Sequence, residues 1–134
     1  MISFKKVSVH YKNEIGLKDV SFDIESSEFV FLIGPTGSGK TTLMRLVYMD
    51  LFPEEGIVCV GKWNSKSIKK RKVPMLRRNI GMIFQNYNLL TDRNIMENVT
   101  LPLRMEGHKR IKIYDKARLI FDDLGLNRNI ENKM

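Results

Sequence analysis

The chain has 134 residues and a formal net charge of +8, which makes it one domain or part of one, long enough to bury a core. No apolar run approaches the ~20 residues needed to cross a bilayer, and the start, Met1-Ile-Ser-Phe-Lys-Lys-Val, lacks the apolar stretch of a secretory signal, so the sequence reads as cytoplasmic. A single cysteine, Cys59, excludes an internal disulfide and a cysteine-built metal site.

Residues 2–11 read as a strand: Phe4 is followed by Val7, Val9 and Tyr11, the last three at period two. Lys12 to Gly16 reads as a turn, and Leu17 to Glu25 alternates again with Val20, Phe22 and Ile24 on one face. Glu28 to Ile33 is nearly continuous in apolar residues, the pattern of a central buried strand.

That run delivers the chain into Gly34-Pro35-Thr36-Gly37-Ser38-Gly39-Lys40-Thr41-Thr42. The segment is a complete phosphate-binding loop, G-x-x-x-x-G-K-[ST], placed between a strand-like and a helix-like segment. The glycines allow backbone N–H groups to turn inward and close on a phosphate. Lys40 adds a point charge suited to the β and γ phosphates, and the Thr41 hydroxyl is suited to a Mg²⁺ that bridges them. The helix that begins near Lys40 directs its positive end at the same anion. The pattern therefore predicts a nucleoside triphosphate as ligand.

Thr41 to Leu51 reads as a helix with Leu43, Leu46, Val47 and Leu51 along one side, ended by Pro53. Gly56 to Gly61 reads as a short strand in which Cys59 is expected to be a small buried hydrophobe. The charge is then concentrated: Lys62, Lys66, Lys69, Lys70, Arg71, Lys72, Arg77 and Arg78 lie in a stretch with no Asp or Glu between Glu55 and Asp92. Without those eight bases the remaining 15 balance the 15 acids. The stretch reads as a solvated surface loop, or as a contact for an anionic membrane or nucleic acid. Its one aromatic, Trp63, gives no support to a stacking platform for single strands.

A short segment at 73–78 precedes a predicted strand at Ile80–Phe84. Asp92–Met105 is predicted helical with an interruption at Pro102. Ile111–Leu124 is the clearest amphipathic helix, with Ile113, Ala117, Ile120, Phe121 and Leu124 on one face and Gly125 as its stop. The order of elements predicts an α/β fold: a nucleotide-binding core with an antiparallel β side sheet, followed by helices.

Four features now coincide. Tyr11 stands about two dozen residues ahead of the loop, Gly34–Thr42 is the loop, Leu76-Arg-Arg-Asn-Ile-Gly-Met-Ile-Phe-Gln85 ends a predicted strand on a glutamine, and Asn86–Leu103 follows it. Together they make the whole chain resemble the N-terminal part of an ATP-binding-cassette (ABC) ATPase, a P-loop NTPase core cut short after the start of the helical subdomain. Within that family, Val73–Gln85 followed by Leu89-Leu-Thr-Asp-Arg93 looks closest to the bacterial cell-division (FtsE-type) branch, with lipoprotein-releasing and drug-exporting ATPases as near relatives.

The resemblance implies a division into residues 1–85, side sheet plus P-loop core, and 86–134, the start of the helical subdomain. It implies that Tyr11 stacks on adenine and that Gly34, Pro35, Thr36, Gly37, Ser38, Gly39, Lys40, Thr41 and Thr42 hold the triphosphate. It implies that Thr41 and Gln85 reach Mg²⁺, with Gln85 also near the attacking water and Lys40 and Gln85 as the catalytic pair. It further implies a homodimer, an integral membrane partner (FtsX-like in the cell-division branch), a place on the inner face of the cell membrane, and no specific nucleic acid.

The signature segment Leu-Ser-Gly-Gly-Gln/Glu, the second carboxylate motif and the switch histidine of the family do not occur in residues 1–134. Leu119-Ile-Phe-Asp-Asp123 imitates that carboxylate motif but falls inside the amphipathic helix. His10 and His108 are isolated, expected at a strand edge and in a loop. These 134 residues are therefore expected to bind ATP with very slow turnover or none, and a non-catalytic binding module stays open as an alternative. So does a P-loop kinase, although 33 residues precede the loop where such kinases place it near the N-terminus. A basic nucleic-acid binder is a further alternative. The run before the loop has no flanking strand in view, and an unpaired central edge invites association or partial disorder.

Overall fold

A computed structural model describes residues 1–11, 14–105, 107 and 109–126. The elements are β1 (Ile2–Tyr11), β2 (Glu14–Ile24), α1 (Lys40–Val47), β3 (Glu55–Val60), β4 (Trp63–Asn64), a 3-10 turn (Lys70–Lys72), α2 (Val73–Arg77), α3 (Ile95–Met105) and α4 (Arg110–Asp123). They fall into two compact units, Met1–Met82 and Ile83–Met134.

In the first unit the strands form one antiparallel sheet in the order β2-β1-β3-β4. β1 is central, which is why its apolar residues Phe4, Val7 and Val9 are almost wholly buried. Phe4 and Val7 are an odd number apart, and strict alternation would put them on opposite faces. A bulge between them, with Lys6 at φ 48°, re-phases the strand so that both face the core and Lys5 and Lys6 face out. Phe4 stacks on Phe22 across the β1–β2 pair, ring centroids 4.6 Å apart. α1 packs Leu46 and Val47 into the same core with Leu43 at its margin, as the helical period predicts. The helix ends at Val47, short of the predicted Leu51, where the chain turns through Met49 at φ 53°, and Leu51 packs on the core from beyond the helix. The core closes with Met49, Val58, Val60, Val73 and Leu76. Arg77 clamps α2 onto the end of α1: it donates to the carbonyls of Tyr48 and Met49 at 3.1 and 3.2 Å and stacks on the Tyr48 ring.

Three expectations are corrected here. Glu28–Ile33 is not a strand: no strand among the described residues pairs with it, and Phe29, Phe31 and Ile33 are 84%, 78% and 87% exposed. Ile80–Phe84 likewise forms no strand. An apolar run has strand propensity, but a strand exists only where a neighbour completes its hydrogen-bond ladder. Cys59 is half-buried rather than buried: it alternates with Val58 and Val60, which face the core, and so stands on the opposite face of the sheet.

In the second unit α3 and α4 pack through Met96, Ala117 and Phe121, with Ile95 and Tyr114 alongside. α3 runs through Pro102, without the predicted interruption. Its start is a reciprocal cap: Glu97 N–H donates to Asn94 Oδ1 at 2.8 Å and Asn94 N–H donates to Glu97 Oε2 at 3.2 Å. α4 buries Ile113, Ala117 and Phe121, but Ile120 and Leu124, expected on the same face, are 51% and 64% exposed. Gly125, at φ 67°, ends the helix as expected. Asp122 and Asp123 lie at the C-terminal end of this helix, so the imitation carboxylate motif has helical geometry.

Candidate phosphate-binding site

The site is the loop 34–39 and the first turn of α1, all within the first unit. Ser38 N–H donates to the Pro35 carbonyl at 3.2 Å and folds the loop back on itself. The Lys40 ammonium closes that fold, donating to the carbonyls of Gly34 and Pro35 at 2.8 and 2.7 Å, with Ser38 Oγ at 3.4 Å. Gly39 is the N-cap of α1 with a left-handed φ of 87°. A Cβ there would lie 2.7 Å from Leu17 Cδ2 and 2.8 Å from the Gly16 carbonyl oxygen, so only glycine fits. The loop is therefore seated directly on β2.

The first amides of a helix have no intrahelical acceptor. No side chain caps those of α1, and its first turn has no acidic residue. Uncapped N–H groups, the positive end of an eight-residue helix and a pinned ammonium form a donor set matched to a polyanion. The residues present thus fit a phosphate chain. Thr41 is exposed beside it, with a hydroxyl suited to Mg²⁺, and Thr42 is buried.

Tyr11 reaches the same place from the end of β1. Its hydroxyl lies 3.3 Å from Thr42 Oγ1, and its ring lies against Gly16, where a Cβ would come within 2.8 Å of Cε2. The structure thus brings together Tyr11, the loop and Thr42, which are up to 31 residues apart in sequence. Below them Arg45 donates to Asp50 Oδ2 at 2.8 Å, and this hydrogen bond raises the guanidinium pKa above its usual value. Gln85 belongs to the second unit, exposed in the turn 85–88. That turn is followed by a loop folded around Asn98, whose Oδ1 accepts from Leu90 N–H at 2.8 Å and whose amide donates to the carbonyls of Leu90, Arg93 and Asn94.

His10 is exposed at the end of β1, with Nδ1 2.7 Å from Glu54 Oε2. Hydrogen bonds from the His10 side chain and backbone hold the Glu54 carboxyl below the usual carboxylate range. His108 lies outside the described residues.

Gly16 and the Asn94–Glu97 cap lie outside the motifs named above. The first has no signal in the sequence, and it lies within β2 and not in a turn as expected. The second is written in the sequence as Asn-x-x-Glu ahead of an apolar run.

The fold and site define a class: a phosphate-loop nucleotide-binding fold of mixed α/β type with an antiparallel sheet and a partial helical region. Two solved ABC cassettes share it. A dimeric bacterial ABC transporter cassette superposes with a TM-score of 0.87 at 30% identity, covering 99% of this chain and 61% of that one. A dimeric post-hydrolysis ATP-binding cassette bound to ADP and Pi superposes with a TM-score of 0.85 at 29% identity, with the same coverage. The profile of the ABC transporter family matches residues 17–134, and the chain belongs to that family.

Among curated relatives, the cell division ATP-binding protein FtsE of Streptococcus pneumoniae is 32% identical over 98% of this chain and 58% of its own length. The methionine import ATP-binding protein MetN of Haemophilus influenzae is 39% identical over 87% of this chain and 34% of its own. The ABC transporter ATP-binding protein YxdL of Bacillus subtilis is 35% identical over 99% of this chain and 53% of its own. The chain thus spans 58% of the first of these relatives. No helix among the described residues is long and apolar enough to cross a membrane.

Proposed function

We infer that residues 1–134 form the nucleotide-binding part of an ABC-type ATPase, taking ATP with Mg²⁺. The observation that carries this reading is the pinned Lys40 ammonium at the mouth of an uncapped, acid-free helix N-terminus. In it, Gly34 to Thr42 hold the triphosphate, and Lys40 meets the β and γ phosphates. Thr41 and Gln85 are the magnesium-side residues, and Gln85 also orients water. Tyr11 offers a π-face to adenine, which supports binding with loose discrimination between bases. Bound Mg²⁺ would supply charge neutralisation between the phosphates.

In the whole protein this site drives ATP hydrolysis in a homodimer docked on an integral membrane subunit at the inner face of the membrane. The FtsE-type branch, with an FtsX-like partner, is the reading that the residues 73–93 favour. MetN and YxdL are similarly related, so a transporter role is the second reading. Residues 1–134 alone bind without appreciable turnover.

The test is equilibrium binding of a fluorescent ATP analogue with Mg²⁺ to the wild type and to Lys40→Ala, with phosphate release followed in the same samples. Binding that Lys40→Ala abolishes, without release, is the expected result. A folded wild type that binds nothing refutes the site.

A further inference from the structure

The strongest feature that the nucleotide site leaves unused is the basic stretch after β3. The structure separates its eight bases by role. Arg77 is taken up by the fold, bonded to Tyr48 and Met49 and 3.5 Å from Asp50. None of the other seven has an ion-pair partner among the described residues. The hairpin turn and the 3-10 turn bring Lys62, Trp63, Lys69, Arg71 and Lys72 around one open cleft of about 340 Å³. Lys62 sits over the Trp63 ring, 5.3 Å from its centroid, and the indole is half-buried beside it. No acidic residue occurs between Glu55 and Asp92 to neutralise the face.

Unpaired like charges crowded on short turns repel one another, and a counter-surface of opposite sign relieves that repulsion. We propose that this cleft is a docking surface for an anionic lipid bilayer, with the bases on headgroup phosphates and Trp63 at the interface. Three observations select this occupant. The cleft is open and its bases are exposed, so an extended anionic surface can reach several of them at once. The 3-10 turn has three residues and α2 has five, too short to enter a nucleic-acid groove, and Trp63 is alone where single strands need several aromatics. A polybasic cluster beside an amphipathic aromatic is the composition that binds anionic headgroups. The contact is independent of the nucleotide reading and gives the chain a membrane affinity of its own, without a partner subunit.

Trp63 is the only tryptophan, so its fluorescence reports on this face alone. The full chain is titrated with three preparations: vesicles of phosphatidylglycerol in phosphatidylcholine, vesicles of phosphatidylcholine alone, and a duplex DNA oligonucleotide at the same salt. A bromine-labelled lipid serves as quencher. Lys69→Gln/Arg71→Gln/Lys72→Gln is compared with Lys5→Gln/Lys18→Gln/Lys112→Gln, which removes the same charge from exposed positions elsewhere. Each base near an anionic surface contributes about 5-fold, so the first variant is expected to lose ~100-fold in partitioning. The control is expected to lose no more than about 5-fold. Trp63 is quenched by the labelled lipid in the wild type, and binding of the fluorescent ATP analogue is unchanged in both variants. The proposal is overturned by absent binding to the anionic vesicles, by equal losses in the two variants, by unquenched Trp63 in vesicle-bound protein, or by tighter binding to DNA than to lipid.

Discussion

Replacing Gly39 by alanine asks two things of the loop at once. The residue sits at φ 87°, where an L side chain costs about 1–2 kcal/mol. The new methyl also meets Leu17 Cδ2 at 2.7 Å and the Gly16 carbonyl oxygen at 2.8 Å. Leucine can swing away; a backbone carbonyl in a sheet cannot, and overpacking of this kind costs about 1–3 kcal/mol. Gly37 supplies the comparison: its φ is 84°, yet a Cβ there would meet nothing within 4 Å. Gly37→Ala should therefore carry the backbone cost alone. The two variants should differ by about 1–3 kcal/mol, or roughly 1 M in urea midpoint at ordinary slopes. Far-ultraviolet circular dichroism against urea measures it, with both slopes checked against the wild type. Equal destabilisation by Gly37→Ala and Gly39→Ala would refute the seating of the loop on Gly16 and Leu17.

Tyr11→Phe removes only the hydroxyl contact with Thr42 and should leave analogue affinity within about 3-fold, whereas Tyr11→Ala removes the π-face and should lose ~10-fold or more, read by titration. Asn98→Ala deletes four hydrogen bonds around residues 90–98 and should destabilise the second unit by about 1–3 kcal/mol, seen as faster amide exchange at Leu90. Glu54 has a lowered folded-state pKa, caused first by the His10 side-chain hydrogen bond. Its contribution to stability is thus present above the unfolded carboxylate pKa and is lost as pH falls through the depressed value. Urea midpoints measured at successively lower pH should fall less steeply for Glu54→Gln than for the wild type, and parallel curves would exclude the pair as a contributor.

What the sequence made legible was local. The phosphate loop is nine contiguous residues, and helix α1 follows from the spacing of Leu43, Leu46 and Val47. The period-two strands emerged as β1 and β2, although the bulge at Lys6 shows in the sequence only as an odd offset between Phe4 and Val7. What failed was non-local. The runs 29–33 and 80–84 have strand composition, but composition cannot state whether a neighbouring strand is there to pair. The predicted α4 stripe is wider than the buried one because a helical period marks the apolar face, while its neighbour's reach decides how much is covered. α3 covers Ala117 and Phe121 and leaves Ile120 open. The meeting of Tyr11 with Thr42 depends on β1, β2 and α1 packing together, which no motif encodes.

Lys40 has three hydrogens to give. Two are placed on the carbonyls of Gly34 and Pro35, and Ser38 Oγ lies at a longer 3.4 Å. An arriving anion therefore meets a lysine that is already employed, and its binding is a trade of partners. The cheapest trade is the Ser38 contact, which leaves both carbonyl bonds in place and lets a single phosphoryl oxygen be taken without unpicking the loop. A lone monoanion gains little more than that one exchange. A chain of phosphates also reaches the uncapped amides of α1, so a polyphosphate is expected to bind more tightly than a simple anion.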